Sequence, residues 1–485
     1  MNYRNFDLET FAYKKNDDGE GFQVRVVDSP AGQQRTDNAE EVTIPSDLRR
    51  RARLLARRRL DFREMIALGQ ALADCLFPTR ARRLLTLSQA ELDNGEGLRI
   101  RLRLNTYALT DLPWEYVYIG RPDTLPGQEG IEGFLALDRR ISLVRYELME
   151  QRLERLDPIR ASSLRLTMLM ADPSTPTYPV LHLDTERRNI EEALEDVSSV
   201  QPEFYAHATA ETVLDAMTQE AHIFHFAGHG EFEGQLGASF GSVEGRGSIV
   251  LLGDGGEPRL FPADLLAQNL LGRGIRLAVL GACQGGTRDR VNAWTGVAPA
   301  LTRAGIPAVV GMQFAVKDRN AIAFSRQFYR ALAAGQSIDA AVTDGRLAIL
   351  SQSPSRDERD WGVPVLYLRV EDGVLFPLTE PKPRPKVIEV PTIEPARDEI
   401  DQRELRMVLV NYFSLEEIEA VCADVEHAME EAGIRVMDRP IPVSLEMVGG
   451  RAKPGKVLNL IKYLDERGYL GYLVGAVRLH RPGII

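Results

Sequence analysis

Three observations predict an α/β protein in which helices flank a mostly parallel sheet, with an α+β N-terminal region and a small all-α C-terminal domain. Between residues 161 and 378, short apolar runs alternate with helical periodicity, the pattern of βαβ units in a covered parallel sheet. Residues 1–160 instead mix period-two strands with an Arg-rich amphipathic helix. Proline then crowds residues 379–404, and only helical patterns follow in 405–485.

Each element follows from its own residues. Gln23-Val-Arg-Val-Val27 and Gly97-Leu-Arg-Ile-Arg-Leu-Arg-Leu104 alternate apolar with polar as half-buried strands do. The helix-like run from Met65 to Phe77 carries Cys75, which reads as a core residue. Leu112-Pro-Trp-Glu-Tyr-Val117 and Phe134-Leu-Ala-Leu-Asp-Arg-Arg-Ile-Ser-Leu-Val-Arg145 lead into the alternating region. Its strands are expected at Leu164–Met170, Ala221–Ala227, Arg276–Leu280, Ile306–Gly311 and Val363–Leu368, and its main helices at Thr185–Val197, Ala321–Ala333 and Ser337–Leu350. Ser248 to Leu260 reads as a β-hairpin turned on Asp254-Gly255, an exposed wall beside the strands. Repeated prolines from Pro377 onward make 379–404 an extended, semi-rigid linker. Beyond it, Leu405–Phe413 is a short helix, Ser414 caps another with Glu417 three residues later, and Lys453–Leu464 and Gly468–Leu479 supply two more. Short helices with acidic and basic faces suit an interaction module.

Composition narrows the function classes. At 485 residues, with 44% apolar content, the chain has room for about three domains with sizeable cores. A net charge of −11 argues against binding nucleic acid through its phosphates, and the basic run of Arg49, Arg50, Arg51, Arg53, Arg57, Arg58 and Arg59 reads as the solvated face of a helix. Three scattered cysteines, Cys75, Cys283 and Cys422, form no disulfide framework and suit a reducing cytoplasm. The first residues show no apolar signal region, and no uncharged run reaches membrane-spanning length, so a cytoplasmic protein without a membrane is expected. No Gly-x-Gly-x-x-Gly or phosphate-loop lysine follows a strand, which disfavours a nucleotide cofactor.

The chemistry concentrates in Ala221-His-Ile-Phe-His-Phe-Ala-Gly-His-Gly230 and Leu277-Ala-Val-Leu-Gly-Ala-Cys-Gln-Gly-Gly286. Each is an apolar run that stops at a reactive residue beside glycine, and neighbouring parallel strands would bring those ends together. A free thiol is only a few per cent thiolate near neutrality, so Cys283 needs a base, and His229 would supply one. The amides of Gly230 and Cys283 could converge on an oxyanion. His222 and His225 lie inside the strand and read as buried or hydrogen-bonded core, and no ligand cluster supports zinc or any other metal. The separation of His229 and Cys283, 283 − 229 = 54 residues, agrees with the roughly 50 residues between the same pair in caspases.

Together with the Leu-Pro-Trp-Glu segment, the Phe134–Arg145 segment and Ala304-Gly-Ile-Pro-Ala-Val-Val-Gly311, these motifs resemble the bacterial CHAT-domain proteins of the caspase-like clan. The resemblance covers about residues 1–378 and implies a caspase-like core at 161–378, with 1–160 as the N-terminal part of the same module. Tyr412-Phe-Ser-Leu-Glu-Glu and Lys462-Tyr-Leu-Asp-Glu-Arg-Gly468 resemble the small death-like effector-associated domains of bacterial conflict systems. Both resemblances together imply a cytoplasmic cysteine endopeptidase of immune or cell-death signalling, with Cys283 as nucleophile, His229 as general base and acid, and no cofactor. Its partners would be a protein substrate and a protein bearing a matching effector-associated domain; the other reading is a catalytically silent CHAT-fold adaptor that works by binding. Many relatives that cut after Arg or Lys carry Asp two residues before the nucleophile, where this chain has Gly281. Acidic residues from the hairpin or Asp318 could rebuild an acidic pocket there, and Gln313 lies in the segment that lines the pocket in caspases.

Overall fold

A computed structural model of the chain describes all residues except 17–18, 121–128, 147–155, 160–162, 179, 235–244, 283–293, 354, 378–400, 437–438, 451, 482–483 and 485. The residues form two compact units, Met1–Thr379 and Glu380–Ile485.

In the first unit the strands are β1 (Asn2–Asn16), β2 (Gly19–Asp28), β3 (Glu40–Ile44), β4 (Glu96–Arg103), β5 (Ile141–Arg145), β6 (Leu164–Met170), β7 (Val200–Tyr205), β8 (Ile223–Gly234), β9 (Gly245–Leu252), β10 (Pro258–Pro262), β11 (Leu277–Ala282), β12 (Ala308–Met312) and β13 (Pro364–Leu368). Its helices are α1 (Leu48–Ala56), α2 (Phe62–Leu76), α3 (Thr79–Ala90), α4 (Tyr107–Thr110), α5 (Leu183–Leu194), α6 (Ala210–Ala216), α7 (Ala263–Leu270), α8 (Trp294–Ala304), α9 (Asp318–Ala333) and α10 (Ile338–Gln352). All thirteen strands join one sheet. Its long order is β7-β6-β8-β11-β12-β13-β5-β4-β1-β2-β3, parallel from β7 to β12 and again from β13 to β1. Strands from residues 1–160 and from 161–378 therefore share one ladder, joined where β13 meets β5.

Side-chain alternation sorts the two faces of the central strands. Ile223, Ala227, Leu277 and Val279 pack with α5, α9 and α10, while Phe224, Phe226, Ala278 and Leu280 pack with α6, α7 and α8. A strand buried on both faces has no polar side to show, which is why β11 reads as an unbroken apolar run. That sorting fixes which face each reactive residue can use.

Two expectations are corrected here. The run through Ala221–Ala227 does not end as a strand at His229; β8 continues to Gly234 and exchanges its parallel neighbours for antiparallel β9, with His229 opposite Val250. The hairpin is also not an exposed wall. Ile249 and Leu251 of β9 are fully buried against α7 and α8, Val250 on the opposite face is buried as well, and β10 is the more exposed strand. Its turn is longer than a two-residue Asp254-Gly255 loop: Gly253 donates to the Glu257 carbonyl at 2.7 Å, and Gly256 supplies the left-handed residue at φ +83°.

The covering of β9 by α8 depends on two facing glycines. A Cβ on Gly296 would lie 2.7 Å from Phe232 Cδ2 and 2.8 Å from the Cα of Gly247. Backbone cannot move aside as a flexible side chain can. Gly296→Ala is expected to cost about 1–3 kcal/mol through overpacking. The measurement is the urea midpoint followed by Trp fluorescence, and an unchanged midpoint would show that the two backbones can separate freely.

The basic run around α1 is held by carboxylates. Arg49 pairs with Glu20 at 2.7 Å, Arg51 with Asp47 at 2.7 Å, and Arg58 with Glu358 and Asp360.

The second unit contains α11 (Gln402–Tyr412), α12 (Leu415–Glu431), α13 (Leu445–Val448), α14 (Lys453–Asp465) and α15 (Leu470–His480), with the two-residue strands β14 (Arg435–Val436) and β15 (Arg439–Pro440) paired antiparallel. Leu409, Val421, Val425, Leu460, Leu464 and Leu473 form its core. The capping box is present: Ser414 Oγ accepts from Glu417 N at 3.1 Å, and Glu417 Oε2 accepts from Ser414 N at 2.6 Å. No helix among the described residues is long and apolar enough to cross a membrane.

Candidate active site

The first half of β8 lies between β6 and β11, and its parallel ladder with β11 runs from Ile223↔Leu277 to Gly228↔Ala282. The next residue along β8 is His229, and the next in sequence after Ala282 is Cys283. Cys283 itself, and with it the Cys283 amide expected at the oxyanion, lies outside the described residues.

Topology explains why the carboxyl end of β8 is open. The chain leaves β6 through α5 to the outer strand β7, then returns to the other side of β6 as β8 and moves on to β11. Connections therefore diverge at the β6–β8 boundary, and such a switch point leaves a crevice beyond the strand ends. His229 stands there, half-buried, its ring centroid 5.3 Å from that of Tyr178 in the β6–α5 connection. Gly230 follows it, opposite Ile249.

The two inner histidines do different things. His222 is buried, and its Nδ1 accepts the backbone N–H of Arg165 at 2.9 Å; burial lowers its pKa, so it stays a neutral acceptor. His225 is on the same face of β8 as His229, four residues earlier, and burial pushes its pKa down to about 4. Its Nδ1 lies 3.3 Å from the Tyr329 hydroxyl, whose own pKa burial raises, so the phenol keeps its proton.

A cavity opens beneath this edge on the α5 and α9 face. Its polar wall is formed by His182, Glu186, His225, Gly281 and Asp318, and its apolar wall includes Val279, Phe324 and Phe328. Gly281 and Asp318 thus line one space, whereas Gln313 is engaged elsewhere: its Nε2 donates to Glu115 Oε2 at 2.9 Å and to the Gly362 carbonyl at 2.8 Å. Sequence reading missed Glu186. The signal was present, since Glu186 stands four residues before Ile190 and seven before Ala193, on the inward stripe of α5.

Cys75 and Cys422 are buried, and burial pushes both thiols up to about 12. A thiol in that state is not a nucleophile near neutrality.

The CHAT domain family matches residues 67–369, well over half of the chain. The chain belongs to the CHAT domain family. Among solved structures this CHAT-domain protein is similar to the Arg-specific cysteine proteinase gingipain R, at 13% identity and a TM-score of 0.36, covering 63% of this chain and 70% of that one. The complex of the pro- and mature domains of RgpB from Porphyromonas gingivalis matches at 13% identity and a TM-score of 0.36, over 68% of this chain and 79% of that one. Separase of Saccharomyces cerevisiae in its securin complex matches at 12% identity and a TM-score of 0.31, over 59% of this chain and 17% of that one. None of the curated proteins matches the chain.

Proposed function

We propose that this CHAT-domain protein is a cytoplasmic cysteine endopeptidase in which Cys283 attacks the scissile carbonyl and His229 carries the proton. The observation behind this reading is the parallel β8–β11 ladder, recorded up to the residues immediately before His229 and Cys283. The two buried, unreactive thiols at Cys75 and Cys422 leave Cys283 as the cysteine suited to the role. In the first step the imidazole takes the thiol proton while a C–S bond forms, and the amides of Gly230 and Cys283 hold the oxyanion. As the C–N bond breaks, the imidazolium gives its proton to the leaving amine; water then hydrolyses the thioester with His229 acting again as base.

In this reading the second unit, whose helices begin at Gln402, recruits the enzyme to a partner that bears a matching effector-associated domain, and the output is immune or cell-death signalling. Family membership supports the peptidase step, and the separate compact unit supports recruitment. The test compares new protein N-termini in cells expressing the wild-type chain and Cys283→Ala. Cleavage products present only with the wild type are expected. An unchanged biological output from the Cys283→Ala chain, with no wild-type-specific products, would turn the reading to the adaptor.

A further inference from the structure

Arg58 occupies a backbone position that favours glycine. Helix α1 ends at Ala56, and two bonds close it in the Schellman pattern: Arg58 N–H donates to the Leu55 carbonyl at 3.0 Å and Arg59 N–H to the Leu54 carbonyl at 2.9 Å. The pattern puts Arg58 in the left-handed region, at φ +56°. A Cβ is disfavoured there, whereas glycine meets no such obstacle. Strain of this kind persists only where the surroundings hold the residue in place.

The side chain supplies that hold by reaching the segment between β12 and α9. Its Nη2 donates to the Ala315 carbonyl at 3.0 Å, and its Nη1 donates to Asp360 and lies 3.5 Å from Glu358. Both carboxylates are buried, their side chains 0% and 2% exposed, and both bind the same segment. Asp360 Oδ2 accepts from Lys317 N at 3.0 Å and from Asn320 Nδ2 at 2.9 Å, while Glu358 Oε2 accepts from Lys317 Nζ at 2.7 Å. Arg359 brings a second guanidinium. Its Nη2 donates to the Ala315 carbonyl at 2.9 Å and to the Ala56 carbonyl, the last of α1, at 3.3 Å, and its Cζ lies 5.1 Å from the centre of the Phe314 ring. One exposed helix end and one irregular segment are thus joined by charge-assisted bonds, the stronger kind.

The segment borders the candidate site. Strand β12 is parallel to β11, with Gly311 beside Leu280, so the chain leaves β12 at the sheet edge where β8 reaches His229. Met312, Val316 and Asp318 line the cavity that His225 also lines. Residues 313–317 belong to no helix or strand. Apart from the Gln313 N–H on the Val363 carbonyl at 3.1 Å, the bonds from Arg58, Arg359, Glu358 and Asp360 fix their path. We propose that Arg58 is a positioning residue of the site: from the N-terminal part of the chain it latches residues 313–317 in the shape that meets substrate. The inference rests on the endopeptidase reading for its substrate, while the latch stands on the contacts alone. Residues 1–160 then do more than widen the sheet, because a shift of the α1 end is passed to the site edge through one guanidinium.

The experiment uses the full chain with Arg58→Gly and Arg58→Lys. Glycine removes the guanidinium and suits the left-handed backbone, so the fold is kept, and thermal melting checks it. Lysine keeps the charge but not the planar fork that bridges a carboxylate and a carbonyl. In hydrogen exchange followed by mass spectrometry, the peptide spanning residues 312–320 is expected to exchange about 10-fold faster in Arg58→Gly, with β8 and β11 unchanged and Arg58→Lys in between. The kinetic substrate is a peptide spanning a cleavage site recovered from the N-termini specific to the wild type. Its KM should rise about 10-fold in Arg58→Gly while kcat moves less than about 2-fold, since the latch shapes the wall and leaves the dyad alone. Unchanged exchange over 312–320, or faster exchange with KM unaltered, overturns the inference and leaves the peptidase standing. If no cleavage site is recovered, the peptidase reading falls and exchange alone decides the latch. Faster exchange confined to 312–320 upholds it; exchange equal to the wild type, or faster throughout the first unit, overturns it.

Discussion

Replacing His229 by alanine is expected to lower kcat/KM for peptide cleavage on the order of 10⁴-fold or more, because nucleophile and base act as one unit. In the proposed dyad, loss of the imidazole takes away the group that receives the Cys283 proton and returns it to the leaving amine. The acid-side limb that an imidazole base imposes on kcat/KM should vanish with it. Free imidazole in the assay should restore part of the activity of His229→Ala and none of the activity of Cys283→Ala. The ring of Tyr178 packs against His229 at 5.3 Å between centroids, so Tyr178→Ala should cost less, about 10- to 100-fold, by loosening the base without removing it. A His229→Ala chain that cleaves at the wild-type rate would remove the dyad from consideration.

The parallel core was legible in the sequence because β6, β8, β11 and β12 are buried on both faces and appear as apolar runs between helical periods. The run ending at Leu280 and the strand found at Leu277–Ala282 differ by two residues at the far end. What local pattern could not show was partner exchange. Glycines at 228 and 230 look like the end of a strand, whereas the chain stays extended and its pairing passes from the parallel ladders with β6 and β11 to antiparallel β9. Strand β7 escaped notice because its Val200–Tyr205 segment contains a proline and a glutamate and lies at the sheet's edge, where such residues are tolerated. At the site, Asp318 was readable and Glu186 was not. An acid among Glu191, Glu192, Glu195 and Asp196 looks like part of a solvated helix face, and only its register with Ile190 and Ala193 sets it apart. Gln313 stands apart from that cavity because Glu115 and the Gly362 carbonyl take its amide.

That capture leads to the largest stability effect expected in the molecule. Glu115→Ala should destabilise the first unit by about 3–5 kcal/mol, since it strands buried charge. Glu115 and Arg145 are almost fully buried, and their pair closes at 2.9 Å. Burial would push the Arg145 guanidinium down, and Glu115 together with Tyr367 more than offsets it and holds it charged. The same guanidinium donates to the carbonyls of Thr110 and Leu112, while Glu115 also accepts from Gln313. Arg346, buried nearby with Nη2 on the Pro364 carbonyl, is pushed down to about 10 by burial and is supported in part by the charge of Glu115. These contacts gather at the weakest place in the sheet. Between β13 and β5 the ladder records a single pair, Tyr367↔Arg145, so side chains rather than backbone bonds hold the N-terminal strands to those from β6 to β13. All three tryptophans, Trp114, Trp294 and Trp361, belong to the first unit, so their fluorescence follows its unfolding in urea without interference from the second. Glu115→Ala should shift that midpoint sharply downward, and pairing Glu115→Leu with Arg145→Met should recover part of the loss because neither charge is then left unpaired. A midpoint unmoved by Glu115→Ala would mean that backbone pairing, not this buried carboxylate, joins the two halves of the sheet.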